Sequence, residues 1–182
     1  ALGRQIAVEG ITHDISERVD AERRIRHLAL HDSLTGLPNR DFFLRLATRV
    51  LEQARHDGAG CALLQLDIDR FKSVNDALGN AAGDEVLGVV AQRLQDLVRS
   101  GDPAPAAPRA AVLARVGGNA FALLVPDSAR PEQAARVAER LRQAVAEPVR
   151  VGGTELQLTA GVGIALFPRD GAEPGALSRF AE

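Results

Sequence analysis

The parts of this 182-residue sequence best equipped for chemistry are acids set beside turns rich in glycine and asparagine. The apolar run Cys61-Ala62-Leu63-Leu64-Gln65-Leu66-Asp67-Ile68 ends in an acid, as a buried strand does when its tip reaches a site. A carboxylate there serves a site, or it merely caps and solvates the chain; Asp67 alone does not separate the two. Asn75 and Asp84 offer amide and carboxylate groups for hydrogen bonding, and each taken singly is an ordinary polar residue at a helix edge. Gly117-Gly118-Asn119-Ala120-Phe121 follows, and a hairpin explains its two glycines as well as any ligand does.

The elements that must hold these residues can be read from periodicity. Val112 to Val116 and Phe121 to Val125 flank the glycine pair as the arms of a hairpin. The turn residues Asp32 to Arg40 precede a helix capped by Asn39, with Phe42, Phe43, Leu46, Val50 and Leu51 on one side. Residues Ala82 to Val98 repeat at helical spacing until the Pro/Ala-rich stretch Gly101 to Pro108, a loop. Pro131 opens a further helix that buries Val137, Leu141 and Val145 and ends before Pro148. Leu156, Leu158, Ala160, Val162, Ile164 and Leu166 then alternate with polar or small residues, the period of one half-buried strand. Upstream, Arg4 to Gly10 reads as a strand and Ile15 to His31 as a charged helix whose apolar seam is only Ala21, Ile25 and Leu28. This order predicts an α/β (α+β) sandwich, a mixed central sheet flanked by helices, with a connecting helix at its N-terminal side.

Composition narrows the partners. A hydrophobic content of 46% is enough for a real core, and a net charge of -2 leaves no basic excess to track nucleic acid or an anionic membrane. The single cysteine, Cys61, lies inside an apolar run and reads as a small core residue, which fits a reducing, cytoplasmic setting. No stretch approaches the roughly 18 consecutive apolar residues of a membrane span, which argues against direct insertion. The absence of methionine and a start at Ala1 within an apparent strand lead us to expect an internal piece of a longer protein.

Taken in order, Asp32-Ser33-Leu34-Thr35-Gly36-Leu37-Pro38-Asn39-Arg40, Leu66-Asp67-Ile68-Asp69-Arg70-Phe71-Lys72-Ser73-Val74-Asn75-Asp76 running on to Gly83-Asp84, and Arg115-Val116-Gly117-Gly118-Asn119-Ala120-Phe121 resemble bacterial GGDEF domains. The likeness spans about Asp32 to Phe167. It implies a nucleotide-cyclase-like fold over residues 32–182, lacking the family's final helix and strand. The preceding Gly10-Ile11-Thr12-His13-Asp14-Ile15-Ser16-Glu17-Arg18 resembles the end of a PAS sensory domain. Residues 1–14 would then close that domain, 15–31 would form the connecting helix and a possible homodimer contact, and an EAL domain downstream is expected by analogy. Leu177 to Glu182 resembles only the start of the family's last helix, so a lysine or arginine contact to phosphate made farther along that helix is not expected here.

Active GGDEF domains condense two GTP molecules, the 3′-hydroxyl of one attacking the alpha-phosphorus of the other across a face-to-face dimer. By resemblance, magnesium would be held by Asp67, the Ile68 carbonyl and an acid at position 119, where this chain has Asn119. Asparagine offers a carbonyl oxygen but no charge and no general base, and Ala120, where the family has glutamate, offers no polar group. Loss of acid–base assistance costs about 10²- to 10⁴-fold, so the signature acids are gone and magnesium is expected to be weak or absent. Asn75 and Asp84 match the positions that bind guanine, the backbone N–H groups of Arg70 and Phe71 match the phosphate turn, and Lys72 adds a point charge.

The family's product-inhibition site pairs an arginine with an aspartate three positions on. Here Pro108 and Ala111 occupy those positions, with Arg109 out of register, so no high-affinity cyclic di-GMP site is expected there. The resulting expectation is an inactive GGDEF module that binds GTP or dimerises to relay a PAS signal. The alternatives are a slow diguanylate cyclase holding metal with Asp67, the Ile68 carbonyl and Asp69, and a scaffold that binds no nucleotide.

Overall fold

The computed structural model describes residues 28–100 and 111–182. The expected strand at Arg4 to Gly10, the PAS-like end at residues 1–14, most of the helix 15–31, and the loop Gly101 to Pro108 with Arg109 lie outside the described residues. Of the connecting helix, Leu28 to Leu30 are described and helical, and His31 already forms an antiparallel bridge with Pro38.

The elements run α1 (Arg40–Asp57), β1 (Cys61–Ile68), α2 (Phe71–Leu78), α3 (Asn80–Arg99), β2 (Val112–Gly117), β3 (Ala120–Pro126), α4 (Pro131–Ala146), β4 (Val149–Val151), β5 (Thr154–Leu156), β6 (Ala160–Phe167) and α5 (Pro174–Ala181). Asn39 starts α1 as expected, its side-chain oxygen accepting from the Phe42 N–H at 3.0 Å. The other end of the same amide donates to the Ala29 carbonyl at 3.0 Å, so one side chain joins two helix termini across the Asp32 to Pro38 turn. Gly36 allows that turn with a φ of 70°, and its N–H closes onto the Asp32 carbonyl at 2.8 Å.

Four strands form the main sheet in the order β2-β3-β1-β6. The expected sandwich and flanking helices are present, but the mixed sheet needs correction, because all three neighbouring pairs are antiparallel. The hairpin β2–β3 folds back so that β3 enters between β1 and β2, while β6 returns on the other edge of β1. Strands of like direction are therefore always separated by one of opposite direction, the split βαβ arrangement. The single expected strand through Leu156 to Leu166 is also divided. Its alternation does put those residues on one packed face, but the chain breaks after Leu156, and β5 pairs instead with β4 across a Gly152-Gly153 turn. Positive φ angles of 56° and 82° at these glycines suit a tight two-residue hairpin.

The continuous apolar run of β1 follows from burial on both faces. Ala62, Leu64, Leu66 and Ile68 pack with Val86, Leu87 and Val90 of α3 and Val137 and Leu141 of α4. Cys61 and Leu63 face the other way, onto Phe43, Ala47 and Leu51 of α1 and Leu177 of α5. Truncating one of these buried leucines to alanine costs about 2–5 kcal/mol. Among the described residues no helix is long and apolar enough to cross a membrane.

Candidate functional site

At the tip of β1, Asp67 pairs in register with Ala120 on one side and Gly161 on the other, and Ile68 pairs with Ala160. Asp67 is exposed and Ile68 is buried. The β2–β3 turn brings Asn119 over this tip, and its Nδ2 donates to Asp67 Oδ1 and to the Ile68 carbonyl oxygen, each at 2.7 Å. Both partners are acceptors only, so the nitrogen end of the amide must face them. Asp67, Ile68 and Asn119 thus come together at the strand tip. Ala120 contributes only backbone pairing and a methyl group, and Phe121 is core.

The turn is held by residues whose part the sequence reading missed. Arg115 Nε and Nη2 donate to the Gly118 carbonyl at 3.0 and 2.7 Å, and Nη1 reaches Asp32 Oδ1 at 3.0 Å. Asp32 also accepts from the Thr35 N–H and hydroxyl at 2.9 and 2.7 Å. Burial works to raise the Asp32 carboxyl, but the bonds from Thr35 and Arg115 outweigh it and hold the group below its ordinary value. The signal was available as an acid and an arginine in separate blocks, but nothing in their spacing says they meet. Gly117 and Gly118 have φ angles of 149° and 47°, so the hairpin alone accounts for both glycines.

Arg70 has a left-handed φ of 53° and stands at the N-cap of α2 without a side-chain cap, and the Ser73 N–H closes the first turn onto the Arg70 carbonyl at 2.8 Å. Lys72 is exposed and Phe71 is half-buried against the core. Asp69, which the slow-cyclase alternative assigned to metal, is engaged elsewhere. It accepts from the Thr159 hydroxyl at 2.6 Å, and its N–H donates to the Thr159 carbonyl at 2.9 Å.

Asn75 lies in the α2–α3 contact, its Oδ1 buried without a hydrogen-bond partner, beside Gly83. Any Cβ at position 83 would collide with that oxygen, so glycine there gives Asn75 its room. Asp84 follows and is exposed. An orphaned buried acceptor costs about 1–3 kcal/mol. Asn75 thus packs against Gly83, the residue that precedes Asp84. A hollow of about 490 Å³ beside Asp67 is lined by Gln65, Gly161, Val162, Gly163, Ala181 and Glu182. A groove of about 870 Å³ runs between the α2 face of Arg70, Ser73 and Val74 and the segment 154–159. Neither includes Asn75 or Asp84.

Among the described residues, no three His, Cys, Asp or Glu side chains converge as a metal site. Magnesium needs several hard oxygens in near-octahedral array. At the β1 tip Asp67 Oδ1 and the Ile68 carbonyl already accept from a neutral amide, and the turn that faces them brings Asn119 rather than a carboxylate. The residues present do not fit the ion. Ala111, half-buried, occupies one product-inhibition position; the other, Pro108, lies outside the described residues.

A family model described as "Diguanylate cyclase, GGDEF domain" matches residues 29–182. The chain is 37% identical to the diguanylate cyclase TpbB of Pseudomonas aeruginosa over 90% of its own length and 36% of that protein. It is also 37% identical to the cyclic di-GMP phosphodiesterase NbdA of the same organism, over 84% of this chain and 18% of that protein. The chain thus spans about a fifth to a third of the length of these curated relatives. The solved GGDEF domain of TpbB is similar in structure, with a TM-score of 0.74 at 38% identity and 83% of each chain covered.

Proposed function

Because the chain belongs to the GGDEF domains of the diguanylate cyclase family, we propose that it works in cyclic di-GMP signalling as a regulatory module that binds GTP without condensing it. The observation that carries this reading is the Asn119 amide bonded to Asp67 and the Ile68 carbonyl. A catalytic site needs an anion there that neutralises metal charge, and neither Asn119 nor Ala120 can supply one or take up a proton. Kinship does not decide catalysis, since matching relatives are named both as a cyclase and as a phosphodiesterase.

The guanine end supports retained recognition. Asp84 is an exposed carboxylate and Asn75 carries an amide acceptor in the adjoining α2–α3 contact, and both groups suit the N1–H and amino donors of guanine. The uncapped start of α2 and the charge of Lys72 suit phosphate. The helix 15–31 would join two copies and carry the signal of a PAS-type domain, in a cytoplasmic protein with a further domain such as EAL. Calorimetric titration of the chain with GTP, with and without magnesium, tests the reading against an Asp84→Ala control. Saturable binding that is lost in the control, with no continuing heat, is expected. Continuing heat and cyclic di-GMP formation abolished by Asp67→Ala would make it a slow cyclase, and no binding at millimolar GTP would leave a scaffold.

A further inference from the structure

Asn119 does more than lack a charge. Its Nδ2 lies 2.7 Å from Asp67 Oδ1 and 2.7 Å from the Ile68 carbonyl oxygen, between the two groups that would hold a divalent ion. Magnesium binds oxygen at about 2.0–2.1 Å. An ion and an amide nitrogen cannot both occupy the space between the same two oxygens.

The amide is held in place by the backbone on either side. The Ile68 N–H donates to the Asn119 carbonyl at 3.3 Å, and the Arg115 guanidinium grips the carbonyl of Gly118, the preceding residue, through two bonds. The hairpin delivers the donor to the strand tip, and Asp67 and Ile68 return three hydrogen-bonding groups to it. Both the side chain of Asn119 and the backbone on either side of it are therefore bonded to the strand tip or to Arg115.

We propose that Asn119 shuts this site against divalent cations by putting its own amide where the ion would go, so that the β1 tip works as a metal-independent hydrogen-bonded cluster. The proposal concerns the apo chain and does not require that GTP bind. It separates two consequences of asparagine that otherwise look alike: a missing negative charge, and a present obstruction. Removing the side chain addresses only the second.

The test is a titration of the nucleotide-free chain with Mn²⁺, read by electron paramagnetic resonance of the free ion. Wild type, Asn119→Ala and Asn119→Asp are compared, each with and without Asp67→Ala. Obstruction predicts that Asn119→Ala binds Mn²⁺ about tenfold or more tightly than wild type, a step of the size seen when one supporting hydrogen bond of a metal site is altered. Asn119→Asp should bind more tightly still, and Asp67→Ala should erase both gains. If Asn119→Ala binds no better than wild type, or if Asn119→Asp binds no Mn²⁺, the proposal is overturned. Circular dichroism checks the fold, and Asn119→Gly, which suits a turn, replaces Asn119→Ala should that variant unfold.

Discussion

Arg115 and Asp32, 83 positions apart, meet through two hydrogen bonds of 3.0 and 3.1 Å. The same guanidinium holds the Gly118 carbonyl, so the turn after the incoming helix and the turn that carries Asn119 share one side chain. Replacing Arg115 with methionine would leave the Asp32 carboxylate, only 24% exposed, without its cation. We expect a loss of about 1–3 kcal/mol in urea unfolding. Arg115→Lys should recover only part of it, because one ammonium cannot reproduce a fork that spans two partners.

Acid should reveal the same contact. Burial opposes the charged form of Asp32, but hydrogen bonds from Thr35 and Arg115 prevail and depress its value. A depressed carboxyl stabilises the fold in full above its unfolded value of 3.8, and that contribution is lost as pH falls through the lower folded value. Asp170 is depressed by its bond with Arg169 and acts with the same sign, so the difference between wild type and Asp32→Asn isolates the Asp32 share. Thermal midpoints measured downward from about pH 6 should converge for the two proteins only below about pH 4. Parallel curves would mean that Asp32 makes no such contribution.

Gly83→Ala should separate binding from folding. The added methyl meets Asn75 Oδ1, the far end of a side chain that can rotate away. Stability should change by less than about 2 kcal/mol, while GTP binding by calorimetry should fall as far as it does in Asn75→Ala. Equal binding by wild type and Gly83→Ala would remove Asn75 from the guanine site.

Catalysis should return only when both signature positions are repaired. Asn119→Asp with Ala120→Glu is expected to raise cyclic di-GMP formation by about 10²-fold or more over wild type, as restored acid–base groups do. Chromatography of the product with GTP and magnesium reads this directly. No gain would place the defect elsewhere, with the bond between Asp69 and Thr159 the next place to look.

Much of this architecture was legible because it rests on local rules. Asn39 capped its helix, the strand Cys61 to Ile68 had the expected bounds, and Pro131 opened α4. Beyond the β2–β3 hairpin, sheet pairing was not legible, since the entry of β3 between β1 and β2 depends on where that hairpin docks and leaves no periodicity behind. The break after Leu156 was hidden for a related reason. Alternation records which face is buried, and Leu158 stays on the packed face while the backbone leaves the ladder. At the site, the likeness of motifs brought Asp67, Ile68 and Asn119 together, but residue types alone could not say that the Asn119 amide would donate to the other two.

The burial of β1 on both faces, with neighbours along both edges, also sets a hierarchy in time. Its amide protons have no local route to solvent and should exchange with deuterium only when the whole domain opens. The two-stranded β4–β5 ribbon, paired to nothing else in the sheet, should exchange far sooner. Asp67 and Ile68 are thus anchored to the slowest-exchanging strand, whereas Asn119 reaches them from a turn with two exposed glycines. The clasp at the strand tip joins a strand paired along both edges to a turn that stands in solvent at Gly117 and Gly118.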